Sequence, residues 1–228
     1  MSKKYKKVAG LVIILLLPSF FYVFLSKGTH HYKKLPFIGP KEVVNGDTIY
    51  HGLPDFSLTD QDGSEFTRTD LKDKIVVANF FFTRCPTICP KMAAHLLELQ
   101  NKFQGVDNLV IISHSVDPEH DSVPALKKYA EKVHAVDGRW YFLTGDRDDI
   151  YNLAHEAYFS SAQEDAAAAG GFLHSELIFL VDAKGRLRGS FDDEGNIVPA
   201  FDGTSTTEMK KMEDAIDNLL LEDVVPKK

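Results

Sequence analysis

The stretch Ile75 to Met92, IVVANFFFTRCPTICPKM, constrains the chain more than any other. Ile75 to Phe82 reads as a buried strand, Thr83 and Arg84 turn it, and Cys85 and Cys89 follow at the expected start of a helix. They are the only two cysteines in 228 residues. A spacing of four at a helix start turns both sulfurs the same way, because 3.6 residues make a turn. Two sulfurs so placed form a disulfide or hold one metal ion. The free N–H groups of a helix start favour the thiolate. Pro86 suits the first turn, where its missing N–H costs nothing. A structural staple in an exported protein is the plain alternative. A strand feeding a two-cysteine helix start is nonetheless a stronger redox or metal signal than a scattered pair.

Charge divides the chain. Residues 1–34 hold seven lysines and no acid, and the remaining 194 hold 19 basic against 33 acidic residues, a formal charge of −14. An acidic body excludes binding to a phosphate backbone and favours a partner with a basic face. Val8 to Leu25 is an uncharged apolar run of bilayer-spanning length, preceded by Lys3, Lys4, Lys6 and Lys7. The expectation is one uncleaved transmembrane helix with the body outside the cytoplasm, in the periplasm if the source is a Gram-negative bacterium. No small-x-small cleavage site follows Leu25. The organisation expected is an anchor over 1–26, a stalk over 27–48 and a domain over 49–228. His30 and His31 fall in the polar stalk and are read as solvated.

Along the body, Pro54 to Thr67 reads as a hairpin turning at Asp62-Gly63. Leu109 to Ser113 is a second strand, ending in a loop of His114, Ser115, Val116, Asp117 and Pro118. A helix follows with Pro124 in its first turn and Leu126, Tyr129, Ala130 and Val133 as its stripe. Trp140 to Leu143 is a third strand. Asp146 caps the next helix, whose buried face is Ile150, Leu153, Ala154 and Ala157, with His155 off it. Ser160 to Gly171 is small and polar and reads as a mobile loop. Leu177 to Val181 is a fourth strand, turned by Asp182 to Gly185 into a fifth, Leu187 to Phe191. The last helix starts at Ser205, with Glu208 completing a capping box. Met209 and Met212 match its helical period and read as core. Parallel crossovers first and a hairpin last predict an α/β fold, a mixed sheet flanked by helices, in thioredoxin-like order.

A third ligand is sought among the histidines, and His174 is the choice. It ends the small, polar loop just before the fourth strand, whose start lies beside the cysteine helix in a thioredoxin-like arrangement. Two thiolates and an imidazole suit Cu(I). An incidental loop histidine is the alternative. Met92 reads as packing, His95 as exposed, and His114 as a satisfied structural histidine, although it could approach the sulfurs. Asp117 could sit near enough to influence thiol acidity.

These residues resemble the Sco/SenC family of membrane-anchored copper-binding proteins, over roughly Leu53 to Leu221. Phe82-Thr83-Arg84-Cys85-Pro86-Thr87-Ile88-Cys89-Pro90 is similar to the family's F-T-x-C-P-x-x-C-P signature. Ser115 to Asp121 is similar to its S-V-D-P-x-R-D segment, and His174-Ser175 to its distal D-H-S. The resemblance implies a thioredoxin-like fold and copper bound by Cys85, Cys89 and His174, as Cu(I) or also Cu(II). It implies a partner in a cytochrome c oxidase subunit, whose copper site is assembled. Leu173 stands where the family has an aspartate that would orient the imidazole, and His120 where it has an arginine. The function expected is a copper metallochaperone. The alternative is a metal-free thiol–disulfide oxidoreductase in which Cys85 is the more exposed attacker and Cys89 resolves. A peroxiredoxin-type peroxidase fits poorly, because Ala78 and Phe82 occupy its proline and threonine or serine positions. Three residues between the cysteines, not two, also set the pair apart from ordinary thioredoxins.

Overall fold

A computed structural model describes residues 34–160 and 176–224, with positions 16, 18 and 20, 163–164 and 172–173 besides. Most of the expected anchor, the pair His30 and His31, and His174 lie outside the described residues. Among the described residues no helix is long and apolar enough to cross a membrane. Residues 35–228 group as one compact unit. Leu35 and Ile38, within the stretch read from sequence as stalk, are buried. Ile38 donates its N–H to the Leu187 carbonyl at 3.0 Å.

Two hairpins come first. β1 (Lys41–Val44) and β2 (Asp47–Tyr50) turn through Asn45 and Gly46, both left-handed, with φ of 53° and 88°. β3 (Ser57–Thr59) and β4 (Glu65–Thr67) form the expected second hairpin and bury Leu58 and Phe66. The core begins with β5 (Ile75–Phe81), buried at every position, and α1 (Ile88–Lys102). β6 (Leu109–Ser115) is also buried throughout, and α2 (Val123–Lys132) follows it with Pro124 in its first turn. β7 (Trp140–Leu143) leads to α3 (Arg147–Asn152), capped by Asp146, which accepts from the N–H groups of Asp148 and Asp149. The chain then loosens into a π-type turn, Leu153–Ala157, instead of the single expected helix, with its apolar side buried as anticipated. β8 (Gln163–Glu164), inside the expected loop, pairs with β9 (Phe172–Leu173), just after it.

β10 (Leu177–Val181) runs antiparallel to β5, while β5, β6 and β7 are parallel, which makes the sheet mixed. Its strand order is β11-β10-β5-β6-β7. The expected fifth strand is broken into β11 (Leu187–Arg188) and β12 (Ser190–Phe191). The break is at Gly189, where a Cβ would meet the Val198 carbonyl at 2.4 Å. β12 leaves the main sheet to pair with β13 (Ile197–Val198), and β14 (Phe201–Asp202) pairs with the first part of β10. α4 (Thr206–Val224) closes the domain, with Ser205 accepting from the Glu208 N–H at 3.3 Å. The Glu208 carboxylate pairs with Lys211 at 3.0 Å.

Parallel strands covered on both faces need apolar side chains on both, which explains IVVANFF and LVIISHS. Their polar exceptions satisfy one another. Ser113 donates to Asn79 at 2.6 Å and accepts from the Trp140 indole at 2.9 Å. On one face Phe81 meets Tyr129 of α2 and Phe142 at ring distances of 5.1 and 5.3 Å. On the other, Phe80 meets His114, Tyr158 and Phe179. α1 has no side-chain cap at Thr87, a loss of about 1 kcal/mol. Fully burying Met92, Leu96 and Leu99 is worth roughly 5–9 kcal/mol and outweighs it.

Candidate metal and thiol centre

The site grows from the end of β5. Phe82 is still buried, and the Cys85 N–H donates to its carbonyl at 3.2 Å. α1 begins at Ile88, so Cys85 lies three residues ahead of the helix and Cys89 on its second residue. Both cysteines were expected at the helix start with Pro86 in the first turn. Pro86 instead lies in the bend before the helix, and Pro90 takes the first-turn place. A helix already running at Pro86 would need the absent Pro90 N–H for its carbonyl, whereas a start at Ile88 leaves that N–H an orphan in any case.

The two cysteines are reduced, with no disulfide between them, and hydrogen-bonded to each other. Cys85 is 8% exposed and Cys89 3%, which keeps the expected order of access. The Cys85 sulfur also lies 3.8 Å from the Thr87 hydroxyl. Bonding to the Cys85 sulfur and then burial push the Cys89 thiol far up, with the charges of Cys85 and Asp121 adding to both. A backbone hydrogen bond at Phe82 offsets only part of this. The expectation that a helix start favours the thiolate is therefore overturned at Cys89, where desolvation and the second sulfur dominate.

Beneath the cysteine turn sits a clamp that sequence reasoning missed. Asp121, with no exposed surface, accepts from the Thr83 N–H at 3.1 Å, the Thr83 hydroxyl at 2.5 Å and the Ser115 hydroxyl at 2.6 Å. Asp117 accepts from Arg84 at 2.6 Å and lies 2.8 Å from the His120 ring nitrogen. The loop after β6 thus grips both residues that precede Cys85. Of the two aspartates, Asp121 is the one whose charge reaches Cys89, whereas Asp117 was the expected one. The available signal was a run of short polar side chains at the end of an otherwise apolar strand. His120, in place of the family's arginine, pairs with Asp117 and keeps a side chain 53% exposed.

The other candidates separate cleanly. His114 lies within β6, not in the loop after it, and faces Phe80. It sits on the sheet face opposite Phe81 and Tyr129, and Tyr129 is the ring in electrostatic contact with both cysteines. Among the described residues it forms no metal-holding group with the two cysteines, and neither of its ring nitrogens has a hydrogen-bond partner, so it is not a satisfied histidine. His95 is half-buried rather than exposed, with Nδ1 2.8 Å from the Gly203 carbonyl. Met92, Met209 and Met212 are core residues, as their periodicity indicated, and His155 is exposed. Among the described residues no three His, Cys, Asp or Glu groups come together as a metal site. The two thiols alone supply the soft donors present there.

A mixed sheet covered by helices on both faces, with a two-cysteine turn leaving a central strand for a helix, is the architecture of thioredoxin-like proteins. The family model described as SCO1/SenC matches residues 48–219, and the chain belongs to that family. A SCO1 protein homolog of Bacillus subtilis is 33% identical over 143 residues, which are 62% of this chain and 74% of that protein. The chain spans about half the length of the mitochondrial relatives it matches, 53% of the mouse SCO2 homolog and 56% of yeast SCO2. Among solved structures, BsSco superposes with a TM-score of 0.62 at 27% identity, covering 74% of this chain and 93% of its own. It is described as a member of the Sco family of cytochrome c oxidase assembly proteins, with a disulfide switch. Copper-bound ScoI of Bradyrhizobium japonicum gives 0.56 at 29%, covering 74% and 97%.

Proposed function

We propose that the protein is a copper metallochaperone that holds copper through Cys85, Cys89 and His174 and passes it to a respiratory oxidase subunit. The observation that carries this reading is the pair of reduced, mutually hydrogen-bonded thiols in a braced turn at the end of β5. Two sulfurs are the donors that Cu(I) prefers, and an imidazole completes a low-coordinate set. The family and the copper-bound relative from B. japonicum support the cargo, and BsSco supports the oxidase as destination. The sheet register supports the third ligand. Ile178 opposes Asn79, so the start of β10 lies beside the end of β5, and His174 precedes Leu177 by three residues.

The test is His174→Ala. Copper binding needs all three groups, while dithiol exchange needs only the sulfurs. Competition against a Cu(I) chelator should show at least a ~10-fold loss of affinity, the lower end of what disturbing a metal site's support costs. Disulfide exchange should stay within a few-fold of the parent. Unchanged copper affinity would remove His174 from the site.

A second reading has its own support in the disulfide switch of BsSco and the greater exposure of Cys85. The Cys85 thiolate attacks a partner disulfide, forming a mixed disulfide and freeing one partner thiolate. Cys89 then loses its proton and attacks the Cys85 sulfur, freeing the second partner thiolate and leaving an oxidised Cys85–Cys89 pair. A parent chain that holds no copper but reduces disulfides would favour this reading. Both readings place the body outside the cytoplasm behind the Val8–Leu25 anchor. A reporter fused to the C-terminus should be active only there, and cytoplasmic activity would refute the topology.

A further inference from the structure

A trough on the protein surface begins at Pro90, the residue after Cys89. Its walls are the outward side of α1, through Pro90, Ala93, Ala94 and Leu97, and the end of α2, through Val133, and it encloses about 250 Å³. The small side chains of Ala93 and Ala94 open it. Tyr129 lies in it as well, almost wholly buried, and the same phenol is in electrostatic contact with Cys89 and Cys85. The trough is therefore tied to the thiol pair by the charge interaction at Tyr129 and by the Cys89–Pro90 bond. A larger depression, lined by Val76 and Val181, lies at the opposite end of β5 and has no such connection.

Charge distinguishes this surface from the rest of the domain. No carboxylate lines the trough, and beside Tyr129 its ionisable groups are Lys132 and His134. α1 and α2 together carry five lysines and two glutamates, in a body whose formal charge is −14. Lys102 and Lys127 are held by Glu213 and Asp62. Lys132 lies over the Tyr129 ring, 5.9 Å from its centre, at the trough itself. An apolar floor with a basic rim selects an apolar side chain followed by carboxylates. A partner must also seat closely, because cysteines exposed by only 8% and 3% exchange a ligand or a bond only with a group brought against them.

We infer that the α1–α2 trough docks the client protein through an acidic segment bearing a large apolar side chain, next to the client's own copper- or sulfur-exchanging group. The inference rests on the proposed exchange function and names the kind of client that function serves. Seated there, the client's apolar side chain fills the space beside Ala94, and its carboxylates meet Lys132.

The test uses the full chain in detergent with both cysteines replaced by serine, so that only docking is measured. The probes are two fluorescent peptides around one leucine, flanked by aspartates in one and by lysines in the other. Fluorescence anisotropy should show the aspartate peptide binding at least ~10-fold more tightly. Ala94→Trp, at an exposed position, should abolish that preference by filling the trough, and Lys132→Glu should weaken it ~5-fold or more. Equal binding of the two peptides, or an Ala94→Trp chain that binds like its parent, would overturn the inference. Circular dichroism of each variant identifies any that fails to fold, and Lys132→Glu then decides alone. Copper loading and dithiol exchange of the cysteine-containing parent are measured separately. A parent inactive in both refutes the proposed function, while the peptide data still judge the trough.

Discussion

At the scale of single residues, two buried polar side chains show how partners decide the sign of an effect. Asp121 has three donors and His114 has none. Asp121→Ala would leave the Thr83 and Ser115 donors stranded under the cysteine turn, and a loss of about 3 kcal/mol in urea denaturation is expected. His114 makes the opposite prediction. Burial pushes its imidazole down from 6.5 to about 3, so between those values the unfolded chain binds the proton and the folded one does not. The stability that the neutral ring leaves intact is fully present above pH 6.5 and is lost as pH falls toward 3. At pH 5 the loss from this group is about 2 kcal/mol, at 1.36 kcal/mol per unit. His114→Phe keeps the ring against Phe80, removes the orphaned nitrogens and should flatten this slope. Denaturation midpoints at pH 7 and pH 5 would show the parent losing about 2 kcal/mol more than the variant. An equal loss in both would place the acid sensitivity elsewhere.

At the scale of elements, most strands and helices follow from local pattern. The β3–β4 hairpin, the buried β5, the proline-started α2 and the Asp146 cap all form where periodicity and turn chemistry put them. The exceptions have long-range causes. The fifth strand breaks because the backbone at Val198 comes within reach of Gly189, a contact nine residues away in sequence that no strand propensity encodes. Gly189→Ala should cost about 1–3 kcal/mol, as overpacking does, because the opposing atom is a backbone carbonyl and cannot swing aside. Thermal unfolding would measure it, and a neutral outcome would show that β12 and β13 can separate freely. His114 and Ser115 join β6, rather than the loop after it, because Phe80 and Phe81 extend the parallel ladder to meet them.

At the scale of the whole molecule, Arg188 ties together parts that are distant in sequence. It is fully buried and donates to Asp182 at 3.0 Å, to Glu222 at 2.9 Å and to the Leu35 carbonyl at 2.9 Å, while its guanidinium lies 4.4 Å from the centre of the Phe37 ring. The first described segment, the β10–β11 turn and the end of α4 therefore meet on one cation. Arg188→Met would leave Asp182 and Glu222 without it, and a loss of about 3–5 kcal/mol is expected from urea denaturation. Copper affinity should be unchanged, since Arg188 pairs with Leu180 and lies away from the cysteine end of β5. A variant of parental stability would mean that Arg186 takes over Asp182, which it already contacts at 2.6 Å.

By itself the sequence determined most of the core strands and helices, the mixed sheet and the two sulfurs, because periodicity, turn residues and cysteine count act over a few residues at a time. It also pointed to the family through short motifs at Phe82–Pro90 and Ser115–Asp121. Only the tertiary structure decided that Asp121, 38 residues from Thr83, braces the cysteine turn, and that His114 lies on the far side of the sheet from the sulfurs. It alone decided, too, that burial and the Cys85 sulfur push the Cys89 thiol up although it sits in the first turn of a helix. Burial and the identity of a neighbour across the sheet are set by how strands stack and which faces are covered. No local pattern carries those quantities.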